Sequence, residues 1–163
     1  MALAPRPARP RDVLFIGLAF TLIILLIHLP YLTLPLFWDE MGQFVPAALD
    51  LWRRGSWIPQ STRPNVHPPG LPALLATVWR ITGYSIPATR VVMLLVAGCT
   101  AMATFLLAIR LCRGLPGAPA FSAVTLLIFS PLFYTQAMLA QLDLPATLLT
   151  VSALYEFLNH RVR

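Results

Sequence analysis

Lysine is absent from this chain of 163 residues, and all 12 basic residues are Arg. That excludes P-loop lysines, Schiff-base lysines and every other chemistry that needs an amine side chain. Charge of either sign is scarce, at 11% of residues with only six acids, while 58% of residues are apolar and the mean hydropathy is +0.73. A soluble domain does not carry that composition, so lipid is the expected solvent. The net charge is +6. Its Arg residues stand singly or in pairs between apolar runs and form no continuous basic face, so nucleic acid is not an expected partner. Cysteine is nearly absent too. Cys99 and Cys112 are 13 positions apart along one apolar run, and roughly 20 Å of helical rise between them rules out a mutual disulfide.

What is abundant is uncharged apolar sequence. Residues 1–12 form an Arg-rich tail with Arg6, Arg9 and Arg11, and residues 13–38 that follow contain no charge. At about 1.5 Å per residue that run crosses the ~30 Å hydrocarbon core. The sequence after it, from His28 to Trp38, lacks the small residues of a cleavage site, so the segment is expected to stay as an anchor. Residues 91–109 and 114–142 are also uncharged and long enough to span, and 144–160 is a weaker candidate interrupted by Glu156. The run 66–79 contains three prolines and His67 and has the length of an interfacial helix.

The positive-inside rule arbitrates this short run. If it lies on the surface, spans fall at about 13–34, 87–109, 118–136 and 145–160. Arg6, Arg9, Arg11, Arg110, Arg113, Arg161 and Arg163 are then cytoplasmic, seven against five outside. If it crosses, the count inverts to five inside and seven outside. The expected fold is therefore an all-α integral membrane domain over 13–163, with about four transmembrane helices and two interfacial helices in the first outer loop. The N-terminus is expected in the cytoplasm and the functional face outside it, at the plasma membrane. Only this arrangement puts Asp143 on the same side as Asp39 and Glu40.

Within the outer loop, Asp39 can cap an amphipathic helix. Met41, Phe44, Val45, Ala48, Leu49 and Trp52 share one side of it, Arg53 and Arg54 suit its negative end, and Gly55 stops it. Pro46 would kink or divide this helix. A second short helix is expected after His67-Pro68-Pro69-Gly70, since prolines at a helix start cost little. Taken singly, the polar residues have plain structural readings. Asp39 and Glu40 suit a capping pair, Asp143 a helix start, and His67 an interfacial histidine. Arg63 and Arg90 suit lipid headgroups, and Glu156 with His160 a snorkelling pair.

Their order says more. Leu-Phe-Trp-Asp39-Glu40 is followed by Ala-Leu-Asp-Leu-Trp-Arg-Arg-Gly55-Ser-Trp57 and by His67-Pro68-Pro69-Gly70. Then come Gly83-Tyr-Ser-Ile-Pro-Ala-Thr-Arg90, Phe129-Ser-Pro131 and Gln141-Leu-Asp143-Leu-Pro145. Over about residues 13–160 this order resembles the N-terminal module of the C-superfamily (GT-C) glycosyltransferases. The group it looks most like contains the protein O-mannosyltransferases, aminoarabinose transferases and Rgt-like galacturonosyltransferases. In two respects it departs from them: Gly70 stands where mannosyltransferases tend to carry Leu, and a nearby Lys of some relatives is missing. Those enzymes have more spans, so the chain is expected to be the N-terminal part of a larger protein.

The resemblance implies transfer of a sugar from a polyprenyl-phosphate carrier to a lipid, glycan or protein acceptor on the extracytoplasmic face, with inversion at the anomeric carbon. It implies Asp39 as the base that takes the acceptor proton, and Glu40 as a residue that orients Asp39 or binds acceptor. Asp143 is implied as a metal ligand or substrate-positioning acid. Arg63, His67, Arg90 or a divalent metal cofactor would stabilise the phosphate leaving group. The rival reading is a small four-span structural or transport-accessory protein without catalysis, whose acids would face water without organised neighbours.

Overall fold

A computed structural model describes residues 10–64, 67–112 and 117–161, with the side chains of 10, 118 and 161 left out. Arg6, Arg9, Arg113 and Arg163 of the expected cytoplasmic set lie outside the described residues, as does most of the N-terminal tail. All the regular elements described are helical. In chain order they are α1 (Pro10–His28), a 3-10 turn (Leu29–Tyr31), a π turn (Glu40–Phe44), α2 (Val45–Arg54) and α3 (Gly70–Thr82). These are followed by α4 (Ile86–Leu111), α5 (Ala118–Ile128), α6 (Pro131–Gln136) and α7 (Asp143–Arg161).

Helix starts are written in proline and serine. Ser85 accepts the Ala88 N–H at 3.2 Å, and Ser130 the Phe133 N–H at 3.3 Å, each followed by a proline in the first helical turn. A proline there gives up an N–H that would have no intrahelical partner anyway. Inside a run the same residue breaks it: Pro131 divides the expected span 118–136 into α5 and α6. Two helices among the described residues are long and apolar enough to cross a membrane, at Arg11–Tyr31 and Ile86–Leu111. The other two expected spans do not reach that standard. One is cut at Ser130, and α7 carries Asp143, Glu156 and Arg161 in its 19 residues.

Helix α4 is the axis against which α1, α5 and α7 pack. Residue pairs fix the directions. Gly17 lies against Met102 (a Cβ there would be 3.2 Å from its Sδ), and a Cβ on Gly98 would lie 2.8 Å from that of Thr21, so α1 and α4 run antiparallel with their backbones close. Phe20 meets Phe105 and Phe121 edge to face, and Phe105 and Phe121 lie tilted against each other, with centroids 5.0–6.1 Å apart, which sets the start of α5 beside the end of α4. At the opposite end, His28 closes α1 onto α6. Its Nδ1 lies 2.8 Å from the Ile24 carbonyl and its Nε2 2.8 Å from that of Tyr134. Arg110 donates to the Leu158 carbonyl at 3.2 Å, so α7 finishes where α4 finishes. The elements therefore run up, down, up and down. The start of α1 and the end of α7 share one end of the bundle, and residues 35–86 and 137–143 share the other.

That second end carries a smaller layer, α2 against α3. Val45, Ala47, Ala48 and Leu51 are buried on α2, and Leu71, Leu75, Ala76 and Trp79 on α3. Trp79 anchors the layer to α4 by donating its indole N–H to Thr89 at 3.2 Å. Helix α3 starts at Gly70, directly after the His-Pro-Pro run.

Candidate functional site

Chain geometry around Pro46 shapes the site. The helix expected over 39–54, kinked or divided at Pro46, is a π turn leading into α2. Pro46 has no N–H to give the Gly42 carbonyl, and the Thr62 hydroxyl takes its place, donating to that oxygen at 2.6 Å. The wider turn rotates Met41 out of the expected apolar stripe: it is exposed, while Glu40 and Phe44 are buried.

Glu40 is fully buried, and its carboxylate is saturated. Arg90 donates through Nη1 to Oε1 and through Nη2 to Oε2, the second at 3.0 Å. The Ala140 N–H reaches Oε1 at 2.7 Å, and the Phe37 N–H reaches Oε2 at 2.6 Å. Four donors occupy the four acceptor positions of a carboxylate, which leaves none for an acceptor hydroxyl. Arg90, only 1% exposed, also donates to the Met138 and Pro35 carbonyls at 2.9 Å each. The two side chains tie the backbone at Pro35, Phe37, Met138 and Ala140 together. Arg90, expected as a phosphate contact, is not accessible to one.

One cross-link thus joins three segments: the turn after α1, the start of α4 and the loop before α7. It draws Asp39, the neighbour of Glu40, and Asp143, three residues past Ala140, to the same end of the bundle. Both carboxylates are exposed. Asp39 occupies the position before the π turn but makes no capping bond through its side chain, contrary to expectation. Asp143 opens α7 and has no side-chain partner among the described residues. Arg63 is exposed, and His67 sits with its ring 6.2 Å from that of Phe44. Glu156 and His160 pair at 3.7 Å on the exposed far end of α7.

The donor set does not suit the divalent cation expected at Asp143. No three His, Cys, Asp or Glu side chains come together among the described residues. Glu40, the acid beside Asp39, is consumed by Arg90.

Asp50, for which no role is expected from the sequence, is central in the structure. Buried on α2, its Oδ2 accepts the backbone N–H of Gln60 at 2.7 Å and of Ser61 at 2.8 Å, and the Ser61 hydroxyl at 2.9 Å. Arg54 stands 4.0 Å from its Oδ1. Hydrogen bonding, led by the Ser61 N–H, holds its carboxyl below the ordinary carboxylate value against the opposing effect of burial. Asp50 falls three positions after Ala47 on the buried side of α2, outside the apolar stripe expected from the sequence. A cavity of about 130 Å³ opens between α2, the turn after it and the start of α3, walled by Ala47, Leu51, Trp57, Pro59, His67 and Pro69.

No known family, curated protein or solved structure matches this chain.

Proposed function

We propose that the chain is the N-terminal module of a membrane glycosyltransferase that moves a sugar from a polyprenyl-phosphate donor to an extracytoplasmic acceptor. The order of motifs suggests it. The observation that carries it is the Glu40–Arg90–Ala140 cross-link, which gathers two exposed acids from distant parts of the chain at one end of a helical bundle. In this reading α1, α4, α5 with α6, and α7 cross the plasma membrane. The N-terminus is cytoplasmic, and α2 and α3 lie in the outer interface, where a polyprenyl tail stays in lipid while its phosphate and sugar reach water.

The chemistry asked of the chain is limited. The acceptor oxygen bonds to the anomeric carbon from the face opposite the phosphate, and its proton passes to the Asp39 carboxylate. The electrons of the broken carbon–oxygen bond leave with the polyprenyl phosphate, so the configuration inverts. A general base of this kind contributes about 10²–10⁴-fold. Arg63 and His67 are the exposed groups suited to the phosphate charge, and Asp143 to holding a sugar hydroxyl. Glu40 and Arg90 fix the backbone that carries Asp39.

The test is transfer by membranes containing the complete protein, supplied with labelled polyprenyl-phosphate sugars on the extracytoplasmic side. Asp39→Asn is expected to lose about 10²–10⁴-fold in turnover with membrane insertion unchanged; retained turnover rejects the base assignment. A second reading, a four-span protein without catalysis, has one observation in its favour. The Asp39 and Asp143 carboxylates have no organised side-chain neighbours among the described residues. Under it the unaltered protein shows no transfer, and Asp39→Asn alters stability or assembly instead.

A further inference from the structure

Trp57 is 63% exposed, yet the turn that carries it is fastened at both ends. Gly55 opens the turn in the left-handed region at φ 70°, which glycine adopts without strain. The Ser56 hydroxyl donates to the Ile58 carbonyl at 2.7 Å, and Arg54 donates to Gln60 at 3.3 Å. Asp50 then takes the N–H groups of both Gln60 and Ser61, so a buried carboxylate sets the far side of the turn. The backbone that carries this large aromatic ring is thereby set before anything binds, and the ring lines a cavity that His67 and Pro69 also line. Preorganisation of this kind lowers the ordering cost of association.

The cavity's chemistry selects its occupant. At about 130 Å³ it is well below the roughly 300–1,000 Å³ of a site for a drug-sized ligand, and matches one ring. Its walls are C–H surfaces of proline, alanine and leucine, with the Ser56 side chain, the Trp57 indole and the His67 imidazole. A pyranose has the complementary make-up: one face of axial C–H groups that packs on an indole, and a rim of hydroxyls that an imidazole can meet. Its neighbour Ile58, 70% exposed, is not part of the wall.

We infer that the Trp57–His67 cavity is a saccharide subsite that seats a single pyranose ring on the Trp57 indole. Whether the ring belongs to donor or acceptor depends on the transfer reading above; binding itself does not. Phe44, which contacts His67, ends the π turn that Asp39 precedes, so the subsite and the proposed base share one module.

The experiment is saturation-transfer NMR with methyl pyranosides of gluco, manno and galacto configuration, added to the complete protein in lipid nanodiscs. Saturation is expected on one C–H face of at least one pyranoside, reduced about 2- to 12-fold in Trp57→Ala and largely kept in Trp57→Phe. Thermal unfolding of both variants reports whether the turn survives. Quenching by brominated lipids forms the second arm: Trp57 at a sugar site is spared by bromines in the acyl region. Absence of saturation in the wild-type protein, equal saturation in Trp57→Ala, or strong bromolipid quenching of Trp57 overturns the subsite, the last in favour of a membrane anchor. Binding without transfer rejects the enzymatic reading and leaves the subsite standing. With transfer present, a raised KM for donor or for acceptor in Trp57→Ala tells which sugar occupies it.

Discussion

The guanidinium of Arg90 grips both carboxylate oxygens of Glu40 from 50 positions further along the chain, and neither side chain is more than 1% exposed. Two charges removed from water pay for themselves only when their remaining hydrogen-bonding capacity is met. Here the Ala140 and Phe37 N–H groups and the Pro35 and Met138 carbonyls meet most of it. The pair also acts as a clasp between segments that share no other regular structure.

Breaking the clasp from one side strands the other charge. Glu40→Ala is expected to cost about 3–5 kcal/mol, because Arg90 stays buried without its counter-charge. Glu40→Ala combined with Arg90→Met is expected to recover much of that loss. Thermal unfolding of the four proteins in detergent gives the coupling. Additive effects would mean that the two side chains do not act as a pair.

Close approach of α1 and α4 depends on Gly98. Any Cβ there meets Thr21, whose own Cβ would lie 2.8 Å away. Gly98→Ala is expected to destabilise by about 1–3 kcal/mol and Gly98→Val by more. Thr21→Gly is expected to relieve the alanine variant. Unfolding temperature, with protease resistance of the membrane-inserted protein, checks both.

Asp50 clamps the turn at 55–61, and Asp50→Asn is expected to cost about 1–3 kcal/mol and to free that turn, because one amide oxygen cannot replace a charged acceptor of three hydrogens. The pH dependence follows from the lowered carboxyl value. A group whose folded value lies below its unfolded one stabilises the fold fully above the unfolded value, about 3.9. That contribution fades as the pH falls through the folded value. The clamp is therefore expected to hold at neutral pH and to loosen only in acid. Hydrogen exchange of the Gln60 and Ser61 amides against pH measures it, and protection lost already near pH 6 would contradict the assignment.

How much could be read in advance follows how local the cause was. The His-Pro-Pro run before Gly70 marks a helix start within four residues, and that boundary was legible. So was the stop at Gly55. The π turn was not, since the Gly42 carbonyl left open by Pro46 is filled by Thr62 from 20 positions away. Glu40 was read as chemistry because its partner lies 50 positions on, and no local pattern distinguishes an acid that will be buried from one that will face water. The same distance hides the burial of Arg90, whose partners are Glu40, Pro35 and Met138. Apolar length counted 118–136 as one rod, whereas Ser130 and Pro131 end a helix and begin another.

The claim on which the functional reading rests is that Asp39 and Asp143 emerge into one compartment, opposite the end of α7. It is tested most directly by single cysteines at positions 39, 143 and 160, in a background where Cys99 and Cys112 are replaced, labelled in intact cells with a membrane-impermeant maleimide. Asp39→Cys and Asp143→Cys are expected to label from outside, and His160→Cys only after the membrane is permeabilised. Labelling of Asp39→Cys from outside, with Asp143→Cys reactive only after permeabilisation, would contradict the account.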